Sequence, residues 1–264
     1  MAEAGGLYYE EHGRRDAPPL ILSSGLGGSA NYWAPNIPAL AEHFRVIAYD
    51  QRGTGRSDRA PLASLSVEDM AADVVLLLDA LDISRADLVG HALGGLIGLS
   101  LALSASERLG RLVVINGWGR LEKHTARCFD ARLALLRNSG VEAFVRAQPI
   151  FLYPANWLTL DAPHLEDEEA ASISHFPGVA VAEQRIAAVR AFDVQDRLGE
   201  IAHRVFIYSV GDDVLVPSIA SDRLLDRLPD NGFPDNYMGQ WGGHACNVTD
   251  PDTFNRIVLD FLRS

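Results

Sequence analysis

Short apolar runs recur along the chain at residues 20–24, 45–50, 86–90, 111–116 and 204–210, and glycine-bearing loops follow most of them. Runs of this length, apolar at successive positions and bounded by turn residues, are those of strands buried on both faces of a sheet. Residues 66–81 carry a helical period instead. Ser66 is placed to cap that helix and Asp69 follows three residues later, the arrangement of a capping box. Strand and helix in alternation predict a mostly parallel sheet covered by helices. Residues 1–13 are polar and strand-like, without a basic-then-apolar leader, so no export signal is expected.

The alternation breaks after Asn116. From 117 to 197 the pattern is helical and rich in aromatics (Trp118, Phe129, Phe144, Phe151, Tyr153, Trp157, Phe192), and strand-like runs resume at Arg204. This predicts a core made of 1–116 and 198–264 with a helical cap, 117–197, inserted over the carboxyl ends of the strands, where open α/β sheets bind their ligands. Aromatics at helical spacing fill cores more often than they line pockets, so most of these are expected to be packing residues.

Composition narrows the function classes. The chain has 264 residues and a formal charge of −12, which argues against nucleic acid or an anionic membrane as partner, because phosphates need clustered Lys and Arg. The most apolar stretch, 92–105, is too short to span a bilayer. Two cysteines, Cys128 and Cys246, have no CxxC neighbour, and the histidines show no ligand spacing. The expectation is a cytoplasmic protein without metal or cofactor that acts on a small molecule, its oligomeric state left open between monomer and homodimer. An anionic substrate would need a local cation against the global field; Arg120, Arg127 and Arg146 of the cap are the candidates, although the plainer reading of each is a solvated surface residue.

Chemistry enters at residues 86–96, a strand that ends in a turn and leads into a small-residue helix. Gly90-His91-Ala92-Leu93-Gly94 resembles the G-x-S-x-G nucleophile elbow of α/β hydrolases, with Ala92 where that family carries serine. Other stretches follow in the family's order. Ser24-Gly25-Leu26-Gly27-Gly28 resembles its oxyanion loop, which implies the backbone N–H groups of Leu26 and Leu93 as the oxyanion hole. Asp50-Gln51-Arg52-Gly53-Thr54-Gly55-Arg56-Ser57 resembles a structural loop. Asp212-Asp213-Val214-Leu215-Val216-Pro217 follows the strand-like run at 204–210, where the family places its acid, which implies Asp213 as the acid, and Gly242-Gly243-His244-Ala245 implies His244 as the histidine. The fold implied is an eight-stranded, mostly parallel sheet flanked by helices. Pocket positions are expected at Ser24, His91, Trp118, Arg120 and Tyr153.

A narrower resemblance rests on Gly90-His91-Ala92-Leu93-Gly94, Val114-Ile115-Asn116-Gly117-Trp118, Ala147-Gln148-Pro149-Ile150-Phe151-Leu152-Tyr153-Pro154-Ala155 and the run from Gly242 to Pro251. Together these resemble the RutD family of α/β hydrolases, from the Rut route of uracil degradation. The resemblance implies a hydrolase that speeds ammonia release from carbamate or 3-aminoacrylate, and an elbow alanine occurs in that family. Two alternatives stand beside it: a catalytically silent binder of small molecules, which the missing serine favours, and a cofactor-free lyase or oxygenase of the same fold.

Overall fold

The computed structural model describes residues 3–59, 64–160, 162, 164–229 and 236–264. Its centre is one eight-stranded sheet: β1 (Glu3–Ala4), β2 (Leu7–His12), β3 (Pro19–Ser23), β4 (Arg45–Tyr49), β5 (Ala86–His91), β6 (Leu109–Ile115), β7 (Val205–Val210) and β8 (Asn236–Gly239), in the order β1-β2-β4-β3-β5-β6-β7-β8. β1 and β2 run antiparallel to their neighbours, and every pairing from β4 to β8 is parallel. All five sequence-predicted strands lie in it within two residues at each end.

The two-residue period of a strand sends its apolar side chains to opposite faces. Ile21, Ile47, Leu88, Val114 and Ile207 enter one buried cluster, while Leu22, Val46, Val89, Val113 and Phe206 enter the other. Against the first face pack α2 (Val67–Ala80) and α3 (Leu93–Ser104). The Ser66 capping box forms as predicted, with Asp69 N donating to Ser66 Oγ at 3.0 Å and Ser66 N to Asp69 Oδ2 at 2.9 Å. Helix α3 is buried along nearly its whole length because α2 covers the side turned away from the sheet. The second face is covered by α1 (Ile37–Ala41) and by the C-terminal helix Pro251–Arg263, whose Phe254, Val258, Phe261 and Leu262 form one apolar stripe.

Between β6 and β7 run α4 (Lys123–Leu152, broken at Gly140, φ 85°), α5 (Ala155–Leu160), α6 (Leu165–Ser174) and α7 (Val179–Ala191). These helices dock on loops that leave the carboxyl ends of strands. In α7 the buried Arg185 donates through Nε to Leu26 O at 3.0 Å, through Nη1 to Arg52 O at 3.2 Å, and through Nη2 to Gln51 Oε1. In α4 Thr125 Oγ1 donates to Leu215 O at 3.0 Å, and Ala245 N donates to Leu152 O at 2.9 Å. α8 (Ile219–Leu225) follows β7, α9 (Cys246–Thr249) follows the Gly-Gly-His loop, and the C-terminal helix is α10.

Candidate active site

Ala92 forms the apex of the turn between β5 and α3, with φ 46° and ψ −111°. A residue with a Cβ occupies that region at a cost of order 1–3 kcal/mol, so the surroundings must impose it. They do so through glycine. A Cβ on Gly94 would lie 1.9 Å from Ser23 O, and one on Gly90 would lie 2.3 Å from the Gly94 carbonyl carbon, so both flanks of the turn are closed to any other residue. The Ala92 methyl is buried and cannot attack a carbonyl.

His244 and Asp213, 31 residues apart, meet beside this turn. His244 Nδ1 lies 2.7 Å from Asp213 Oδ2, and both side chains are buried. A carboxylate oxygen only accepts, so Nδ1 carries the hydrogen and Nε2 keeps its lone pair. The other Asp213 oxygen accepts from Leu215 N at 2.8 Å and Val216 N at 2.9 Å, which fixes the carboxylate plane. Asp212 does different work: it accepts from Gly243 N at 2.9 Å and Gly242 N at 3.3 Å, and so holds the segment just before the histidine. Of the two adjacent acids, Asp213 meets the imidazole and Asp212 meets only backbone.

His91 supports the opposite side. Its ring lies 4.6 Å from that of His244 and stacks on Tyr32 at 4.8 Å, and Nε2 donates to His244 O at 2.8 Å. Burial, then the neighbouring His244, hold His91 well below the ordinary imidazole range, so it is neutral at pH 7. Asn116, at φ 48° just past β6, donates to the same His244 carbonyl at 2.8 Å. Neither Asn116 nor Tyr32 was assigned a role from sequence. Asn116 belongs to the Val114–Trp118 stretch of the RutD resemblance, but nothing in the residue type shows that its amide turns toward a loop 128 positions away.

Among the described residues neither expected oxyanion donor has an acceptor for its amide. Leu93 is the first residue of α3, whose N–H has no intrahelical acceptor, and Leu26 N has no partner among the described residues. Ser24 is buried with its hydroxyl unpaired, and Trp118 is buried with an unpaired indole N–H. Tyr153 stacks on Trp157 at 4.7 Å, and burial pushes its phenol up to about 12. Both cysteines are buried, and burial raises both thiols, so neither supplies a thiolate in place of serine.

Arg120 is not brought to the site. It is half exposed and pairs with Asp193 at 2.6 Å and Asp196 at 2.9 Å, tying the start of the cap to its end. Arg146 pairs with Glu142 one turn away and Arg127 is exposed. The cap's buried cations are Arg132 and Arg185, which a solvated-surface reading of arginine passes over. Among the described residues no group of three or more His, Cys, Asp or Glu forms a metal cluster, and no helix is long and apolar enough to cross a membrane.

Residues 18–237 match the family described as alpha/beta hydrolase fold. A protein of Caulobacter segnis named "Putative carbamate hydrolase RutD" is 50% identical over 260 residues, covering 97% of this chain and 96% of that protein. One of the same name from Variovorax paradoxus is 51% identical over 257 residues, covering 97% and 96%. Among solved structures, the enol-lactonase from Burkholderia xenovorans LB400 superposes with a TM-score of 0.87 at 26% identity over 100% of this chain and 99% of that one. A hydrolase from Pseudomonas aeruginosa PA01 gives 0.85 at 28% identity, covering 98% and 94%.

Proposed function

The chain belongs to the RutD family of α/β hydrolases, and from that premise we propose that it is a hydrolase that accelerates ammonia release from carbamate or 3-aminoacrylate in uracil degradation, using a histidine-activated water in place of a serine nucleophile. The observation that carries this reading is the buried 2.7 Å contact between His244 and Asp213, retained beside an elbow whose apex is an inert methyl. A binding module has no evident use for an oriented acid–histidine pair.

Asp213 fixes the tautomer in which His244 Nε2 accepts a proton, and it supports the imidazolium that results. A water in the space that a serine hydroxyl would fill at residue 92 gives that proton to Nε2 as it attacks, and the imidazolium returns it to the departing nitrogen. Carbamate and water give bicarbonate and ammonia; 3-aminoacrylate and water give malonic semialdehyde and ammonia. The N–H groups of Leu26 and Leu93 stabilise charge that grows on the substrate oxygen. Removing the serine from a serine–histidine–acid set costs roughly a millionfold in rate, yet about a thousandfold over water survives through the oxyanion hole and binding. Carbamate and 3-aminoacrylate already decompose in water, so a remainder of that size is useful.

Ala92 also favours a second reading, a silent binder. Freshly prepared carbamate and freshly generated 3-aminoacrylate, each mixed with the protein and followed for ammonia against a no-protein control, separate the two: acceleration with either supports the hydrolase, and control rates with both support the binder.

A further inference from the structure

Arg132 is a buried cation without an acidic partner among the described residues. Only 5% of the residue is exposed, its Nε is buried without an acceptor, and the bond from Nη2 to Gln148 Oε1 is its one hydrogen bond among the described residues. Other cap arginines are satisfied: Arg120 by two aspartates, Arg137 by Glu183, Arg190 by Asp130. Arg185 is just as deeply buried, but its guanidinium meets three oxygen acceptors. Burial in the cap therefore does not by itself leave a guanidinium bare. Phe129, Phe144 and Phe151 surround Arg132, their ring centres 5.3, 5.8 and 5.8 Å from Cζ. Such contacts are weakly directional and leave the N–H groups in the guanidinium plane unfilled.

The face of α4 that carries this residue packs on the loop that begins with Asp213. Thr125, Cys128 and Arg132 are spaced by three and four, so they share one face of α4. Thr125 Oγ1 bonds Leu215 O, and Cys128 Sγ reaches Val214 O at 3.7 Å, both in the loop that begins with Asp213. The Cys128 thiol feels the charges of both Arg132 and Asp213. On its other side Arg132 meets Phe151, next to the Leu152 carbonyl that holds the residue after His244.

We propose that Arg132 is the cation that receives the substrate's carboxylate, making the cap side of the site selective for small monocarboxylates over neutral amides. A planar guanidinium with free N–H groups matches a carboxylate edge to edge, which an ammonium does not. In a chain of net charge −12 a buried local cation also answers how an anion is drawn in. The assignment rests on the hydrolytic reading for its choice of substrate, but it is testable without turnover.

Acetate and propanoate, with acetamide and propanamide as neutral counterparts, are titrated calorimetrically into wild type, Arg132→Met and Arg132→Lys at constant ionic strength. Acetate is expected to bind wild type at least ten times more tightly than acetamide. Arg132→Met should lose at least tenfold for acetate with acetamide unchanged, and Arg132→Lys should fall between. Equal acetate affinity in wild type and Arg132→Met, or no acetate binding by wild type, overturns the assignment. Melting supplies a second readout: Arg132→Met should melt at or above the wild-type temperature, since an unpaired buried charge is gone, and a drop of several degrees would show a structural role and overturn it. Arg132-dependent acetate binding without any acceleration of ammonia release leaves the carboxylate site standing and removes the hydrolytic reading.

Discussion

Asp213→Asn tests the tautomer directly, because the geometry dictates which way the new amide points. Asp213 Oδ1 accepts two backbone N–H groups at 2.8 and 2.9 Å, and Oδ2 accepts one imidazole N–H at 2.7 Å. Asparagine keeps its single carbonyl oxygen against the two amides, since the opposite orientation would set an NH₂ against two donors and lose two hydrogen bonds, about 1 kcal/mol each plus the cost of leaving them unpaired. The amide NH₂ then faces His244 Nδ1, which must become an acceptor. The hydrogen moves to Nε2, and the nitrogen that should take a proton from water is occupied. Reversal of this tautomer in sites that keep their serine lowers kcat about ten-thousandfold, about 5 kcal/mol at 1.36 kcal/mol per decade; that exceeds the roughly thousandfold acceleration of a serine-free site, so the histidine's whole share of the acceleration should be lost. The assay is ammonia release above the spontaneous rate, with circular dichroism melts to show that the fold is kept. An Asp213→Asn variant within threefold of wild type would mean that Asp213 has no part in setting the histidine's protonation state.

Ala92→Ser restores a hydroxyl at a backbone already held in the elbow conformation, and burst hydrolysis of an activated ester should appear; an inert variant would place the oxyanion hole or the imidazole out of reach. Arg185→Met removes the tie from α7 to Leu26, Arg52 and Gln51, and leaving these acceptors unpaired should destabilise by about 2 kcal/mol or more in urea unfolding; wild-type stability would refute the docking account. His91 is neutral in the fold, with its affinity for protons lowered by burial first. The unfolded chain binds a proton below about pH 6.5 that the native state refuses, so stability is full above that pH and falls as pH drops through it, by up to about 1.4 kcal/mol per pH unit. Melting temperatures between pH 7.5 and 5 should show that slope, and His91→Gln, whose amide keeps a donor for the His244 carbonyl, should flatten it; an equal slope in both proteins removes His91 as its source.

Most of the sheet was legible because its strands are unbroken apolar runs that the two-residue period divides between two cores, as Ile21 and Leu22 do. β8 was not picked out as a run: Asn236–Gly239 has only Tyr237 and Met238 as apolar residues and is half open to solvent. The elbow could be read because steric closure demands glycine at 90 and 94, and sequence records such demands faithfully. Asp213 and His244 were found through chain order and local motif. What escaped depends on distant partners. Arginine looks alike in sequence whether it meets Asp193 and Asp196, as Arg120 does, or three phenyl rings, as Arg132 does. The difference is made by the fold of α4 across its Gly140 break, which no local pattern encodes.

Ammonia release from carbamate by wild type, by His244→Ala and without protein is the comparison that bears most directly on the imidazole as the proton carrier. The account predicts acceleration by wild type and a His244→Ala rate well below it, keeping only what the oxyanion hole and binding supply. Acceleration that persists undiminished without the imidazole would contradict it.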